Sequence, residues 1–198
     1  MRLARLQNLP PFCTCRESRY AKVMAQSVSN TPGKKLVRID VSSDTVCPWC
    51  FVGKRNLDKA IAASKDQFDF EIRWHPFFLD SSAPKEGVNK REFYEKKFGS
   101  RFTGMMARMT EVFRGLGLEY DMSGLTEFLV ESARKVGIEG AAEFLEDPNN
   151  GVKEVNEELE KYSSHITGVP YYVINGNHKF SGGQPPEVFQ RAFQVDAN

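Results

Sequence analysis

The chain has 198 residues, with 27 Lys and Arg against 26 Asp and Glu for a formal net charge of +1, and 40% of its residues are hydrophobic. That size and balance fit one domain with a substantial core. Charges of the two signs are interspersed, so no basic stripe is present to neutralise a phosphate backbone, and no segment has the apolar length of a membrane-spanning helix. Neither nucleic acid nor membrane is an expected partner.

Residues 1–34 are expected to form a leader and linker outside the fold. Arg2, Arg5, Arg16, Arg19 and Lys22 face a single acid, Glu17, and Gln7, Asn8 and Pro10-Pro11 break the apolar pattern too often for a secretory core. Two readings stay open: an organelle transit peptide, for which serine is scarce, and an extension ahead of a start at Met24. The expected location is the cytoplasm, with plastid or mitochondrion as the alternative if the Arg-rich leader is a transit peptide.

Lys35 to Val41 alternates apolar and polar residues as a first strand would. A helix is expected from Pro48 to Ser64, with Leu57, Ala60 and Ile61 on one stripe and Lys54, Arg55, Asp58 and Lys59 facing away. Phe68 to Trp74 alternates strictly and reads as a second strand, completing a parallel crossover unit. Helices are expected over Asn89–Phe98, Phe102–Gly115, Glu127–Val136 and Val152–Tyr162. Met105, Met106 and Met109, with Phe102 and Phe113, give the second of these a soft apolar surface, suited to core packing or to a peptide groove. Tyr171 to Ile174, Asn175-Gly176 and Asn177 to Phe180 read as a hairpin, because Asn-Gly accepts the two positive φ angles of a type I′ turn. A last helix begins near Pro185-Pro186 with Phe189, Ala192 and Phe193 at core spacing. Strand, helix, strand, insertion, hairpin, helix is the order of an α/β thioredoxin-like fold. It divides the chain into an N-terminal half at 35–80, a helical insertion at 81–150 and a C-terminal half at 151–198.

Cys47-Pro48-Trp49-Cys50 carries the chemistry. At the start of a helix the first sulfur lies over the free N–H groups of the first turn, which favour thiolate over thiol. Cys50 is close enough to resolve a mixed disulfide formed at Cys47. A zinc site would need two more ligands. The other cysteines, Cys13 and Cys15, are spaced unlike a zinc knuckle, and His75, His165 and His178 are scattered singly. A structural bridge would close too small a loop to stabilise much. No metal is expected. Gly168-Val169-Pro170, just before the hairpin, is the second half of the candidate site: a cis proline there would aim the Val169 backbone at an extended peptide.

The segment Asp44-Thr45-Val46-Cys47-Pro48-Trp49-Cys50-Phe51-Val52-Gly53, with Trp74-His75-Pro76-Phe77 and Gly168-Val169-Pro170, resembles the DsbA-like thioredoxin family, and within it the cytosolic FrnE-type branch, plant members in particular. The resemblance covers about Leu36 to Phe193. It implies a thioredoxin fold with an inserted helical domain, and protein dithiol–disulfide oxidoreductase activity. By position it makes Cys47 the attacking thiolate, Cys50 the resolving thiol, Pro48 and Trp49 the tuning dipeptide, and Val169-Pro170 the cis-proline loop. No cofactor is implied, beyond redox exchange with glutathione or another dithiol donor; the partners implied are cysteine-containing protein substrates and glutathione. Kappa-class glutathione transferases and hydroxychromene-carboxylate isomerases share the fold but typically carry serine where Cys47 stands. They supply an alternative activity, and a chaperone-like binding protein with impaired catalysis supplies another.

Two departures from the family pattern bear on function. The family's periplasmic oxidant has His between its cysteines, a charge that Trp49 cannot supply, so reductase or isomerase work is expected over forceful oxidation. In addition, Gly124-Leu125-Thr126 abuts Glu127-Phe128-Leu129-Val130, where relatives of this type continue with further helices. Thr126 and Glu127 look like a deletion joint, and Met106, Phe113, Phe128 and Leu129 are expected to be partly exposed as a result.

Overall fold

In a computed structural model, residues 33–83, 88–120, 131, 133–147 and 149–195 are described. The first strand, β1 (Lys35–Ser43), is followed by helix α1 (Pro48–Ser64) and strand β2 (Phe68–Pro76). β2 lies parallel to β1, with Ile39 opposite Ile72 and Ser42 opposite His75. Helices α2 (Lys90–Phe98) and α3 (Phe102–Gly115) come next, then the short α4 (Ala141–Glu146) and α5 (Val152–Glu158). Strands β3 (Tyr171–Ile174) and β4 (His178–Ser181) and helix α6 (Pro186–Val195) end the chain. The sheet runs β2-β1-β3-β4, and the last two strands are antiparallel to their neighbours. This is the expected α/β arrangement.

The period-two pattern of the strands decides which residues are buried. Val37, Ile39 and Val41 of β1, Phe68 and Ile72 of β2, and Tyr172 and Ile174 of β3 point to one face. Leu57 and Ala60 of α1 and Phe189, Ala192 and Phe193 of α6 close over them. A second cluster joins Val52 of α1 to Met109 and Phe113 of α3, with Trp49, Leu118 and Tyr120 packed against it. Phe113 stacks on Phe51 at 5.7 Å and is only 7% exposed, so it is core and not the partly exposed residue the sequence suggested. Met106 is half-buried, while Phe128, Leu129 and the joint at Thr126 and Glu127 lie outside the described residues. Of the helix expected at Glu127–Val136, residues 131 and 133–136 are described; 131 and 133–135 are helical and Val136 is in a turn.

Two elements differ in detail from expectation. The helix beginning at Val152 changes to the wider π winding over Leu159–Ser163, and Glu158 and Tyr162 both meet His75 there. In the hairpin, Asn175 and Gly176 do take positive φ, at 47° and 78°. The strands nonetheless pair Ile174 with His178, leaving Asn177 as an extra turn residue. The reason lies in β1: both the backbone N–H and the side-chain oxygen of Asn175 bond to the Arg38 backbone, at 2.8 and 2.7 Å, which carries the β1–β3 pairing past Ile174.

Candidate active site

Cys47 is the N-cap of α1 and Pro48 opens the helix, where a missing N–H costs nothing. The Cys47 sulfur accepts the Cys50 backbone N–H at 3.3 Å, the bond that a serine or aspartate oxygen makes at other helix starts. The loop ahead of it is held by Asp44, buried to 9% exposure. Its carboxylate accepts the Val46 N–H at 3.0 Å and the Leu79 N–H at 2.8 Å, and its carbonyl accepts the Cys47 N–H at 3.1 Å. Asp44 thus ties the strand end, the cysteine loop and the segment after β2 together. Sequence reading quoted Asp44 and gave it no role; an Asp two residues before a turn N–H is the signal that would have found it.

Both cysteines are free thiols. The Cys50 thiol bonded to Cys47 lowers the Cys47 pKa to about 7; burial and the nearby Asp44 charge oppose that, and the N–H groups of Cys50 and Trp49 add to it. Cys50 moves the other way, because sharing its proton with Cys47 and being buried both keep it a thiol. One sulfur is therefore poised as an anion while its neighbour holds a proton.

The Val169–Pro170 peptide is cis. The Cys47 sulfur lies 3.7 Å from the Val169 carbonyl oxygen, to which it donates while it is a thiol. So the structure brings Cys47, Cys50, Pro48, Trp49, Val169 and Pro170 to one place. Beside them a cleft of about 380 Å³ runs along Thr167, Gly168, Val169 and Pro170 as far as Ser181 and Gly182. Tyr94 and Tyr120 are near enough to Cys47 to feel its charge. Burial raises both phenol pKa values, and the Cys47 charge adds to the effect in each. Below, Tyr172 is fully buried, and burial followed by the charges of Cys50 and Cys47 holds its phenol well above the usual range. Sequence reading missed these tyrosines, since nothing local links them to residue 47. Among the described residues no group of His, Cys, Asp and Glu is arranged to hold a metal ion.

The sequence profile of the DSBA-like thioredoxin domain matches residues 38–128 and 123–194, which together run from β1 into α6. Uncharacterized protein YwbO of Bacillus subtilis (strain 168) is 25% identical over 195 residues, a span of 79% of this chain and 95% of YwbO. A solved structure described as a probable DsbA oxidoreductase from Streptomyces coelicolor matches with a TM-score of 0.70 at 24% identity, over 80% of this chain and 89% of that one. The structure of a 2-hydroxychromene-2-carboxylate isomerase matches with a TM-score of 0.56 at 11% identity, over 80% and 95% of the two chains, and so shares the fold. With the profile spanning both halves of the sheet and the dithiol helix, the chain belongs to the DSBA-like thioredoxin domain family.

Proposed function

We propose that this protein is a thiol–disulfide oxidoreductase that uses Cys47 and Cys50 on the disulfides of proteins and small molecules. The observation that carries the reading is the paired sulfur geometry. Cys47 caps a helix with its pKa near 7, the protonated Cys50 is bonded to it, and the cis-proline loop lies 3.7 Å away. The Cys47 thiolate attacks one sulfur of a substrate disulfide; that S–S bond breaks, and the departing thiolate takes a proton from solvent. Cys50 then loses its proton and attacks the Cys47 sulfur. The mixed disulfide breaks, the second substrate thiol leaves, and Cys47–Cys50 is left oxidised. Oxidation of a substrate dithiol is the same sequence in reverse.

The expected direction is reduction or isomerisation. A first-cysteine pKa near 7 is a moderate depression, and a strong oxidant needs a more stable thiolate. Net reduction then requires a recycling donor, glutathione or a dithiol. An isomerase or glutathione transferase activity is supported by the shared fold only, and the cysteine at position 47 favours disulfide chemistry. The same reading assigns the chain to the FrnE-type branch on its motifs, with an insertion shortened near Thr126 and Glu127, where the two matched stretches overlap over residues 123–128.

Insulin reduction with a dithiol donor tests the activity. Cys47→Ser should abolish turnover, and Cys50→Ser should accumulate a mixed disulfide visible on a non-reducing gel. Turnover retained by Cys47→Ser refutes the proposal.

A further inference from the structure

Beyond Trp49 a second cleft, of about 340 Å³, is lined by Trp49, Gly104, Met105, Arg108 and Met109. Gly104 borders open space, since a Cβ there would meet nothing within 4 Å. The walls are apolar apart from Arg108, whose guanidinium stands 6.0 Å from the centre of the Trp49 ring. Arg38, Arg73 and Arg91 are paired with Glu71, Asp40 and Glu95. Among the described residues no carboxylate comes within ion-pair distance of Arg108. The helices that carry the cleft are basic as well: Lys90 to Gly115 holds seven Lys and Arg against three Glu, in a chain whose total charge is +1.

An Arg resting on an indole is already oriented, and its fork of N–H donors remains available to a planar anion. Trp49 is two residues from Cys47 and lines the cleft, so the cleft borders the helix turn that holds the reacting sulfur. We propose that the cleft is a specificity pocket for an acidic residue flanking the reacting cysteine of a protein substrate. The carboxylate pairs with Arg108, and its methylene groups lie against Met105, Met109 and the indole face. The assignment rests on the oxidoreductase reading above and adds the substrate class to it: acidic cysteine-containing segments.

Three disulfide-linked peptides of one sequence, with Glu, Gln or Lys beside the cysteine, form the test. Wild-type kcat/KM is expected to favour the Glu peptide over the Gln peptide by about tenfold, the size of one charge-assisted pair at a partly exposed site. The preference should shrink as ionic strength rises. Arg108→Gln should bring the Glu-to-Gln ratio to about one, and Arg108→Glu should turn the preference toward the Lys peptide. Each ratio is read within one enzyme, so a partly unfolded variant still reports it. Equal wild-type rates for the Glu and Gln peptides, or a ratio that survives in Arg108→Gln, overturn the pocket while leaving the dithiol chemistry standing. If wild type reduces none of the three, the oxidoreductase reading itself fails, and the pocket fails with it.

Discussion

Two sulfurs three residues apart divide their work because the helix treats them differently. Cys47 meets the free N–H groups at the helix start, whereas Cys50 sits inside the first turn and is held as a thiol by its bond to Cys47. Iodoacetamide labelling of the reduced protein, read against pH at Cys47 and Cys50 apart from Cys13 and Cys15, should therefore show a single thiolate in the pair with its midpoint near pH 7. Above that the sulfur is charged and the rate is level; below it the rate falls about tenfold per unit, because only the thiolate reacts. Mass spectrometry should find the label on Cys47. A midpoint in the ordinary thiol range, or label on Cys50, would contradict the division. This part of the site was legible in the sequence because its geometry is local: a Cys-Pro pair at a helix start fixes the cap, and Gly168-Val169-Pro170 fixes the loop opposite. Tyr94 and Arg108 were not legible. Their partners are brought to them by packing, and a phenol or a guanidinium on a helix reads in sequence as ordinary surface.

Close packing at the element scale depends on one glycine of α1. A Cβ at Gly53 would collide with the Tyr172 hydroxyl and approach Pro170 Cγ to 3.1 Å, so the absent side chain lets the dithiol helix settle onto β3 and the cis-proline loop. The Tyr172 hydroxyl is fully buried and has no hydrogen-bond partner among the described residues. Gly53→Ala should cost about 1–3 kcal/mol through overpacking. Tyr172→Phe should be neutral or stabilising by up to about 1 kcal/mol, since it removes a buried polar atom without breaking a bond. The double variant should recover most of the Gly53→Ala loss, because the atom struck is the one deleted. Urea titrations of the four proteins measure this coupling, and strict additivity would show that the hydroxyl is not the obstacle. Sequence periodicity gave the existence of α1 and β3 but not this contact. Gly53 lies among helix-compatible residues with no turn or cap to mark it, and only the register of helix on strand shows why a side chain does not fit. The widened turn at Leu159–Ser163 was hidden for a similar reason: the apolar stripe of Val152, Val155 and Leu159 predicts a helix and says nothing of how its last turn is wound.

At the scale of the whole molecule, the face of the sheet opposite α1 and α6 must be fastened to the segment returning from the insertion, and polar groups do this. His75 is 6% exposed. One ring nitrogen bonds Asp40 at 2.9 Å, the other bonds Glu158 at 2.6 Å, and the ring stacks on Tyr162 with centres 3.6 Å apart. Arg73 braces Asp40 at 2.9 Å, and the Ser163 hydroxyl donates to the Pro76 carbonyl at 2.6 Å. Burial alone would raise the Asp40 pKa, but the His75 hydrogen bond and the Arg73 charge outweigh it and hold the carboxyl below its usual range. The strand pair β1–β2 is thereby joined to the turn that leads, seven residues on, to Pro170. Removing the ring deprives a mostly buried Asp40 of a partner and takes away the surface on which Tyr162 rests, whereas Glu158 can turn to solvent. His75→Ala should therefore destabilise the protein by about 2–4 kcal/mol in urea unfolding, and Glu158→Gln by no more than about 1 kcal/mol. The larger loss should come with faster protease cleavage between residues 141 and 168, because the return segment is what the ring secures. If His75→Ala cost no more than Glu158→Gln and left cleavage there unchanged, the return segment would be held by its apolar stripe instead, and the buried histidine would be incidental to how the cis-proline loop is placed over Cys47.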